Sequence, residues 1–109
     1  MDEPEYQKLA EVALHRLEGV FADVDADDVD CERAGDVITL TFKGGKKCVI
    51  NTQRPTRQIW LAANARAWHF SFDRKVGAWL DDRGQSVELF AMVTKIVKET
   101  VGLDLGVTS

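Results

Sequence analysis

Several residue types that usually mark a particular class of protein are scarce in this chain. Its two cysteines, Cys31 and Cys48, lie far apart and form no CxxC motif, which favours two buried, reduced thiols over a disulfide or a metal pair. No apolar run approaches the ~18 residues of a membrane span. The N-terminus shows neither a secretory signal nor an arginine-rich transit peptide. We therefore expect a cytoplasmic, soluble protein that does not bind membranes.

The common catalytic motifs are also missing. There is no phosphate-binding glycine loop, no HExxH and no Gly-x-Ser-x-Gly. The run Asp23-Val-Asp25-Ala-Asp27 resembles the start of an EF-hand, but Asp28 stands where glycine is needed and Ala34 where glutamate is needed. Acyl, phosphoryl and hydride transfer are therefore disfavoured. Nucleic-acid binding is disfavoured as well, because the bases are scattered and the clustered acids would repel phosphates.

Acidic residues are concentrated near the N-terminus. The first 36 residues hold twelve acids and three bases, a net charge of −9, whereas the other 73 hold six acids and eleven bases, a net charge of +5. Crowded like charges repel one another and oppose folding, so this imbalance indicates a cation site or a basic partner. A solvated acidic face that serves solubility is the alternative.

The hydrophobic pattern predicts one domain, 1–109, with a helix at each end. A length of 109 residues and 45% hydrophobic content suffice for one core. Residues 4–22 show an apolar stripe with helical spacing, and Pro4 suits a first turn. A second stripe runs from Val87 to Val101 and ends at Gly102; Ser86 is its predicted N-cap, with Glu88 in the first turn.

Between the helices the period changes to two, which is typical of strands. Strands are predicted from Val29, over 36–42, 47–53, 58–63 and 67–72, and around Trp79, with a hairpin at Gly44-Gly45. Five or six consecutive strands flanked by helices predict an α+β two-layer sandwich. Both helices would pack on one face of an antiparallel sheet.

Two surfaces are candidate functional sites. The first, which we call the acidic ridge, combines the outer face of the first helix, the following loop and one side of the first strand: Glu11, Glu18, Asp23, Asp25, Asp27, Asp28, Asp30 and Glu32. Clustered carboxylates suit hard cations such as iron, bound weakly and exchangeably without a preformed cage. His15, between Glu11 and Glu18, either belongs to a solvated helix face or joins a metal site.

The second surface is one face of the sheet around Trp60. Alternation places Trp60 beside Gln58 on the polar face, with Asn51 and Gln53 on the neighbouring strand. A tryptophan among amides is a frequent interface anchor, although single exposed aromatic residues are also normal. The sequence therefore offers this face as a partner-binding surface.

The stretch from Cys48 to Leu61 closely resembles the signature of the frataxin family, V-I-N-x-Q-x-P-x-x-Q-I-W-L. The resemblance covers nearly the whole chain. It includes Glu5-Tyr6, Asp30-Cys31-Glu32 and Trp68-His69-Phe70, and these tracts are similar to the bacterial branch of the family. A motif of this length is highly specific.

The resemblance implies a role in iron–sulfur cluster assembly. It implies that Fe²⁺ and Fe³⁺ bind the acidic ridge, that a cysteine desulfurase meets this ridge, and that the cluster scaffold meets the sheet face around Trp60. It also implies a monomer in the absence of iron. Ala67 stands where eukaryotic relatives carry a basic residue, and Gly19 and Ala22 stand where bacterial relatives often carry acids.

Two functions follow from these features. The first is a non-catalytic iron-binding regulator of the desulfurase–scaffold complex that also serves as an iron donor. The alternative is an enzyme, a ferroxidase or iron-storage protein that oxidises Fe²⁺ at the ridge. A ferroxidase needs ligands held in place, and a solvated row of carboxylates favours the regulator.

Overall fold

The computed structural model describes residues 1–83 and 87–105, which form two helices and six strands. In chain order these are α1 (Glu3–Phe21), β1 (Val29–Ala34), β2 (Val37–Phe42), β3 (Lys47–Gln53), β4 (Gln58–Ala63), β5 (Arg66–Asp73), β6 (Ala78–Asp81) and α2 (Leu89–Val101). No helix in these ranges is long and apolar enough to cross a membrane.

Helix α1 begins at a capping aspartate. The Asp2 carboxylate accepts a hydrogen bond from the Glu5 backbone N–H at 2.9 Å, and Pro4 lies in the first turn, where a missing N–H costs nothing. The buried residues of α1 follow the helical spacing of the predicted stripe: Tyr6, Ala10, Ala13, Leu14, Leu17 and Phe21. A stripe of this width fits a helix lying flat on a sheet.

The six strands form one antiparallel sheet in sequence order, β1 to β6. Short turns connect them, and several of these turns need a positive φ. Gly44 and Gly45 adopt φ values of 98° and 97° in the predicted hairpin. In the β4–β5 hairpin Asn64 and Ala65 adopt 54° and 62°, the geometry typical of a two-residue turn. Strand bounds agree with the predicted ones to within about one residue.

The core lies between the inner face of the sheet and the two helices. Ile38, Leu40, Ile50, Ile59 and Phe70 are fully buried from the sheet side. Leu17 on α1 and Val97 on α2 are fully buried from the helix side. The predicted α+β two-layer sandwich, with both helices on one face of an antiparallel sheet, is confirmed. Cys31 and Cys48 are free thiols; Cys48 is buried as predicted, whereas Cys31 is only partly buried. Burial raises the pKa of Cys48 to about 12.

Helix α2 begins later than predicted. Glu88 is the N-cap residue, and its carboxylate accepts backbone hydrogen bonds from Phe90 at 2.9 Å and Ala91 at 3.0 Å. The prediction that placed Glu88 in the first turn was therefore wrong; Ser86, the predicted cap, lies outside the described residues. The helix ends as predicted at Gly102, whose φ of 74° is a left-handed conformation that favours glycine.

Candidate functional site

The acidic ridge occupies the edge of the molecule where α1 meets the edge strand β1. Its carboxylates fall into three groups. Glu11 and Glu18 project from α1, and four aspartates lie in the segment between α1 and β1: Asp23, Asp25, Asp27 and Asp28. Asp30 and Glu32 alternate with inward-facing Val29 and Cys31, so they lie on the outer face of the sheet. The eight residues thus follow one edge but face in different directions.

Glu11 and Glu18 share one arginine. Arg33 on β1 faces α1, and its Nη1 donates to Glu11 Oε2 at 2.8 Å and to Glu18 Oε1 at 3.0 Å. Its Nη2 donates to Glu11 Oε1 at 2.6 Å, and its Nε donates to the carbonyl of Gly35 at 3.0 Å. We call this arrangement of Arg33, Glu11 and Glu18 the Arg33 clasp.

The Arg33 clasp shifts the pKa values of Glu11 and Arg33. Hydrogen bonds from Arg33 lower the pKa of the Glu11 carboxyl below its usual 4.5. Hydrogen bonds to Glu11 and then to Glu18 raise the pKa of the Arg33 guanidinium further above its already high value. Glu11 and Arg33 are therefore held in their charged forms, and charge-assisted hydrogen bonds connect the members of the clasp.

Hydrogen bonds to Asp25 hold the conformation of the aspartate loop, residues 23–28. The Asp25 carboxylate accepts a hydrogen bond from the Asp27 N–H at 2.9 Å, and the Asp25 carbonyl accepts from Asp28 at 2.9 Å and from Val29 at 3.1 Å. Asp23, Asp25 and Asp27 are exposed, and Asp28 is partly buried. The loop therefore presents carboxylates to solvent from a defined conformation.

Across residues 1–83 and 87–105, no three histidine, cysteine or acidic side chains come together closely enough to hold a metal ion. His15 is exposed on α1 between Glu11 and Glu18. The ridge therefore offers cations separate carboxylates within an electrostatic field, the arrangement from which weak and exchangeable binding is expected.

The second surface lies on the face of the sheet opposite the helices. Trp60 on β4 pairs with Asn51 on β3 and with His69 on β5. In the next row Gln58 pairs with Gln53. All four predicted partner-binding residues are partly exposed and lie together on this outer face: Asn51, Gln53, Gln58 and Trp60.

A network of contacts holds Trp60 in place. Its indole stacks on the His69 imidazole, with ring centroids 4.3 Å apart and planes 20° from parallel. Its Nε1 donates to Gln58 Oε1 at 2.9 Å. The Gln58 amide nitrogen in turn donates to Ser71 Oγ at 3.1 Å and to Asp82 Oδ2 at 3.0 Å. The outer face thus presents an aromatic platform whose orientation is fixed by polar neighbours.

Sequence reasoning missed three residues of these surfaces. Alternation along β1 puts Arg33 on the same side as Val29 and Cys31, but its pairing with the glutamates of α1 was not predicted. The sequence did contain a signal for this pairing. A basic strand residue was predicted opposite a helix that carries two acidic residues on its polar side. His69 and Asp82 were missed because the stack and the Gln58 contact depend on strand register, which the polarity pattern of single strands does not give.

Comparison with known proteins finds relatives that match nearly the full length of this chain. A family model described as a frataxin-like domain matches residues 1–103. The chain is 38% identical over 109 residues to the iron-sulfur cluster assembly protein CyaY of Delftia acidovorans, covering 96% of each chain. It is 38% identical over 102 residues to the protein of the same name from Paraburkholderia xenovorans, covering 94% of this chain and 93% of the relative.

Solved structures show the same fold. Frataxin from Psychromonas ingrahamii matches with a TM-score of 0.85 at 27% identity, covering 98% of this chain and 100% of that one. Trimeric frataxin from Saccharomyces cerevisiae, complexed with ferrous iron, matches with a TM-score of 0.68 at 26% identity, covering 94% and 90%. Together with the signature between Cys48 and Leu61, these matches establish that the chain belongs to the frataxin-like family.

Proposed function

We propose that this chain is a non-catalytic iron-binding protein of iron–sulfur cluster assembly. In this role it regulates a complex of cysteine desulfurase and scaffold in the cytoplasm, and it also donates iron. The observation that carries the proposal is the full-length similarity to relatives named iron-sulfur cluster assembly proteins. The two surfaces described above supply the binding sites that such a role needs.

Iron binding is assigned to the acidic ridge. Carboxylate oxygens are the ligands that hard cations prefer, and the ridge provides eight carboxylates along one edge of the fold. Iron in either oxidation state would bind weakly and exchange readily, because no closed cage is formed by the described residues. The similar yeast protein is complexed with ferrous iron, which supports iron binding by this chain.

The two partners are assigned to different surfaces. The ridge residues belong to an N-terminal segment whose net charge is −9. The ridge therefore suits a basic patch on the desulfurase. The outer face suits the scaffold, because the stacked Trp60 provides apolar area and the amides of Asn51, Gln53 and Gln58 provide hydrogen bonds. Asp30 and Glu32 share the outer face with Trp60, but β1 and β4 are three strands apart, so we expect both partners to bind one copy of this chain simultaneously.

A desulfurase assay tests the function directly. The rate of sulfide release is measured with desulfurase and scaffold, with and without this chain, at several Fe²⁺ concentrations. We expect a saturable, iron-dependent change in rate. Oxygen consumption is followed in parallel, and we expect no more than stoichiometric uptake per iron. An unchanged desulfurase rate together with catalytic oxygen consumption would instead establish the ferroxidase alternative.

Cation binding is tested separately by thermal unfolding. Repulsion within the ridge destabilises the fold, so Fe²⁺ or Mn²⁺ should raise the melting temperature by mass action. Replacing Asp25, Asp27 and Asp28 with asparagine should raise the metal-free melting temperature and shrink the metal-dependent gain. The amide oxygen introduced at position 25 can still accept the backbone hydrogen bond that the Asp25 carboxylate accepts from the N–H of residue 27.

The control for this variant removes three acids elsewhere: Glu3→Gln, Asp36→Asn and Glu99→Gln. It changes the net charge by the same amount but leaves the ridge carboxylates in place, so it should keep the native metal-dependent gain. Equal metal shifts in both triple variants would refute the assignment of iron to the ridge.

A further inference from the structure

The Arg33 clasp places a positive charge inside the ridge itself. Glu11 and Glu18 are seven residues apart on α1, so they lie two turns apart on the same side of the helix. Arg33 reaches both from the neighbouring strand, and its side chain is only 17% exposed, compared with 59% for Glu11 and 40% for Glu18. The most buried member of the group is therefore the cation.

The guanidinium uses almost all of its hydrogen-bonding capacity. Four donor contacts are made, two to Glu11, one to Glu18 and one to the Gly35 carbonyl. Both Glu11 oxygens are occupied in a bidentate pair, the strongest geometry available between arginine and a carboxylate. A metal ion that used these oxygens would have to share them with Arg33 and would be repelled by its charge.

The remaining six carboxylates of the ridge differ in this respect. In the described part of the chain, none of them forms an ion pair within 4.0 Å of a lysine or arginine: Asp23, Asp25, Asp27, Asp28, Asp30 and Glu32. The ridge is thus divided into a pair of carboxylates that shares one internal cation and a set of six for which the described residues supply no such partner.

We propose that Arg33 is an internal cation that withdraws Glu11 and Glu18 from cation binding and so determines which part of the acidic ridge metal ions use. The proposal deepens the proposed function, since it concerns the same ridge. Arg33 acts as a specificity-determining residue: it confines cations to the aspartate loop and to Asp30 and Glu32. Opening the clasp should create binding capacity that the native protein lacks.

Mn²⁺ binding, measured from the loss of the free-ion electron paramagnetic resonance signal, tests this directly. Arg33→Gln removes the internal cation. Lys43→Gln is the matched control, because it removes one positive charge beside the ridge, where the Lys43 N–H donates to the Asp28 carbonyl, without touching the clasp. The triple variant Glu11→Gln, Glu18→Gln, Arg33→Gln removes the carboxylates that the first substitution opens.

We expect Arg33→Gln to bind Mn²⁺ roughly thirty-fold more tightly than the native chain or to bind an additional ion, since a unit charge about 4 Å from a divalent ion in water changes affinity by about that factor. Lys43→Gln should change binding by less than about two-fold, because its charge is exposed and screened. The gain should disappear in the triple variant. A gain no larger than that of Lys43→Gln, or one that survives in the triple variant, would overturn the proposal.

The native protein provides a second measurement that requires no substitution. The Arg33 Nε–H, which is bonded to Gly35, reports on the clasp in nitrogen-15 spectra. As Mg²⁺ is added, signals of the aspartate loop should shift while the Arg33 signal stays in place. Movement of the Arg33 signal together with those of the loop would contradict the proposal. Absence of Mn²⁺ binding by the native chain, with binding by Arg33→Gln, would refute the iron assignment but support the clasp.

Discussion

At the scale of single residues, the functional surfaces depend on contacts between elements that lie far apart in the sequence. Arg33 is a strand residue facing a helix, a position that usually holds an apolar side chain. Its charge is tolerated there because Glu11 and Glu18 neutralise it. An arginine at this position without the two glutamates would be a partly buried, unpaired charge, so these three residues have to be considered together.

The Arg33 clasp should make stability depend on pH in the acid range. Because Arg33 lowers the folded-state pKa of Glu11 below its usual 4.5, the clasp stabilises the fold above that pH and is lost as the pH falls through the lowered value. Arg33→Gln should therefore melt at a lower temperature than the native chain at pH 7. The difference should shrink as the pH falls below 4.5 toward the lowered pKa of Glu11.

Melting curves of the two proteins across this range check the expectation, with Lys43→Gln as the control. A difference that stays constant down to pH 3 would show that Arg33 stabilises the fold by packing of its side chain rather than through the ionised carboxylates.

Trp60→Ala should affect binding more than folding. Trp60 is only partly buried, so its loss should cost about 1–2 kcal/mol, mainly from the stack on His69 and its hydrogen bond to Gln58. Trp79→Ala, at a position only 3% exposed, should cost ~3–5 kcal/mol. If Trp60 anchors the scaffold, its removal should weaken scaffold binding by ~2 kcal/mol or more.

Denaturant unfolding of both variants and a titration of Trp60→Ala against the scaffold measure the two effects. Scaffold binding at native strength by a folded Trp60→Ala protein would remove the outer face from the proposed function.

At the scale of secondary-structure elements, much of the fold could be predicted from local patterns. The alternation in β2 to β5 and the glycine turn gave strand bounds to within about one residue, because one face of each strand is buried and the other is not. The start of α2 was predicted too early because Ser86 is a better local cap than Glu88, whereas the structure uses the longer glutamate side chain.

The arrangement of the candidate sites was harder to predict. The sequence suggested the eight ridge residues and the four amide and aromatic residues of the outer face as candidates. It did not predict the Trp60–His69 stack, because the register between β4 and β5 is determined by packing and by the Asn64-Ala65 turn. Nor did it predict the Arg33 clasp, because the approach of α1 to β1 depends on the whole core.

One hydroxyl connects α1 to the sheet across more than forty residues of sequence. Tyr6 is 1% exposed; its hydroxyl donates to the Gln58 carbonyl at 2.7 Å and accepts from the Gln53 N–H at 3.1 Å. Tyr6→Phe would leave both backbone groups without this partner, and we expect a loss of about 1–3 kcal/mol. The loss is measured by denaturant unfolding.

Thr94→Val is the control for this prediction. The Thr94 hydroxyl donates to the Phe90 carbonyl, and both residues lie in α2. Its removal breaks a hydrogen bond within one helix rather than one between two elements, so it should cost under ~1 kcal/mol. Equal losses in the two variants would show that the Tyr6 hydroxyl contributes no more than an ordinary helix-surface hydroxyl.

At the scale of the whole molecule, charge is distributed unevenly, with −9 in the first 36 residues and +5 in the remainder. The fold converts this asymmetry along the sequence into an asymmetry in space, because Glu11 and Glu18 of α1, the aspartate loop, and Asp30 and Glu32 of β1 lie along one edge of the sheet. Such a field attracts cations and basic partners from a distance and orients them before contact.

Association with the desulfurase should therefore be fast and sensitive to salt. Reversing Asp23 and Asp27 to lysine alters the open part of the ridge and leaves the Arg33 clasp in place, since neither side chain takes part in it. We expect binding to weaken several-fold at low salt. The difference should fade as ionic strength passes ~0.15 M, where the screening length is about 8 Å.

The control reverses Asp36 and Glu99, which changes the net charge equally but lies outside the ridge. Binding of the scaffold through Trp60 should remain unchanged in both double variants, because the outer face is separate from the reversed positions. If the desulfurase binds the Asp23 and Asp27 variant at native strength and without salt dependence, the ridge is not its docking surface. The acidic residues would then serve solubility, the alternative consistent with their exposure, and the desulfurase contact would have to be sought elsewhere on the fold.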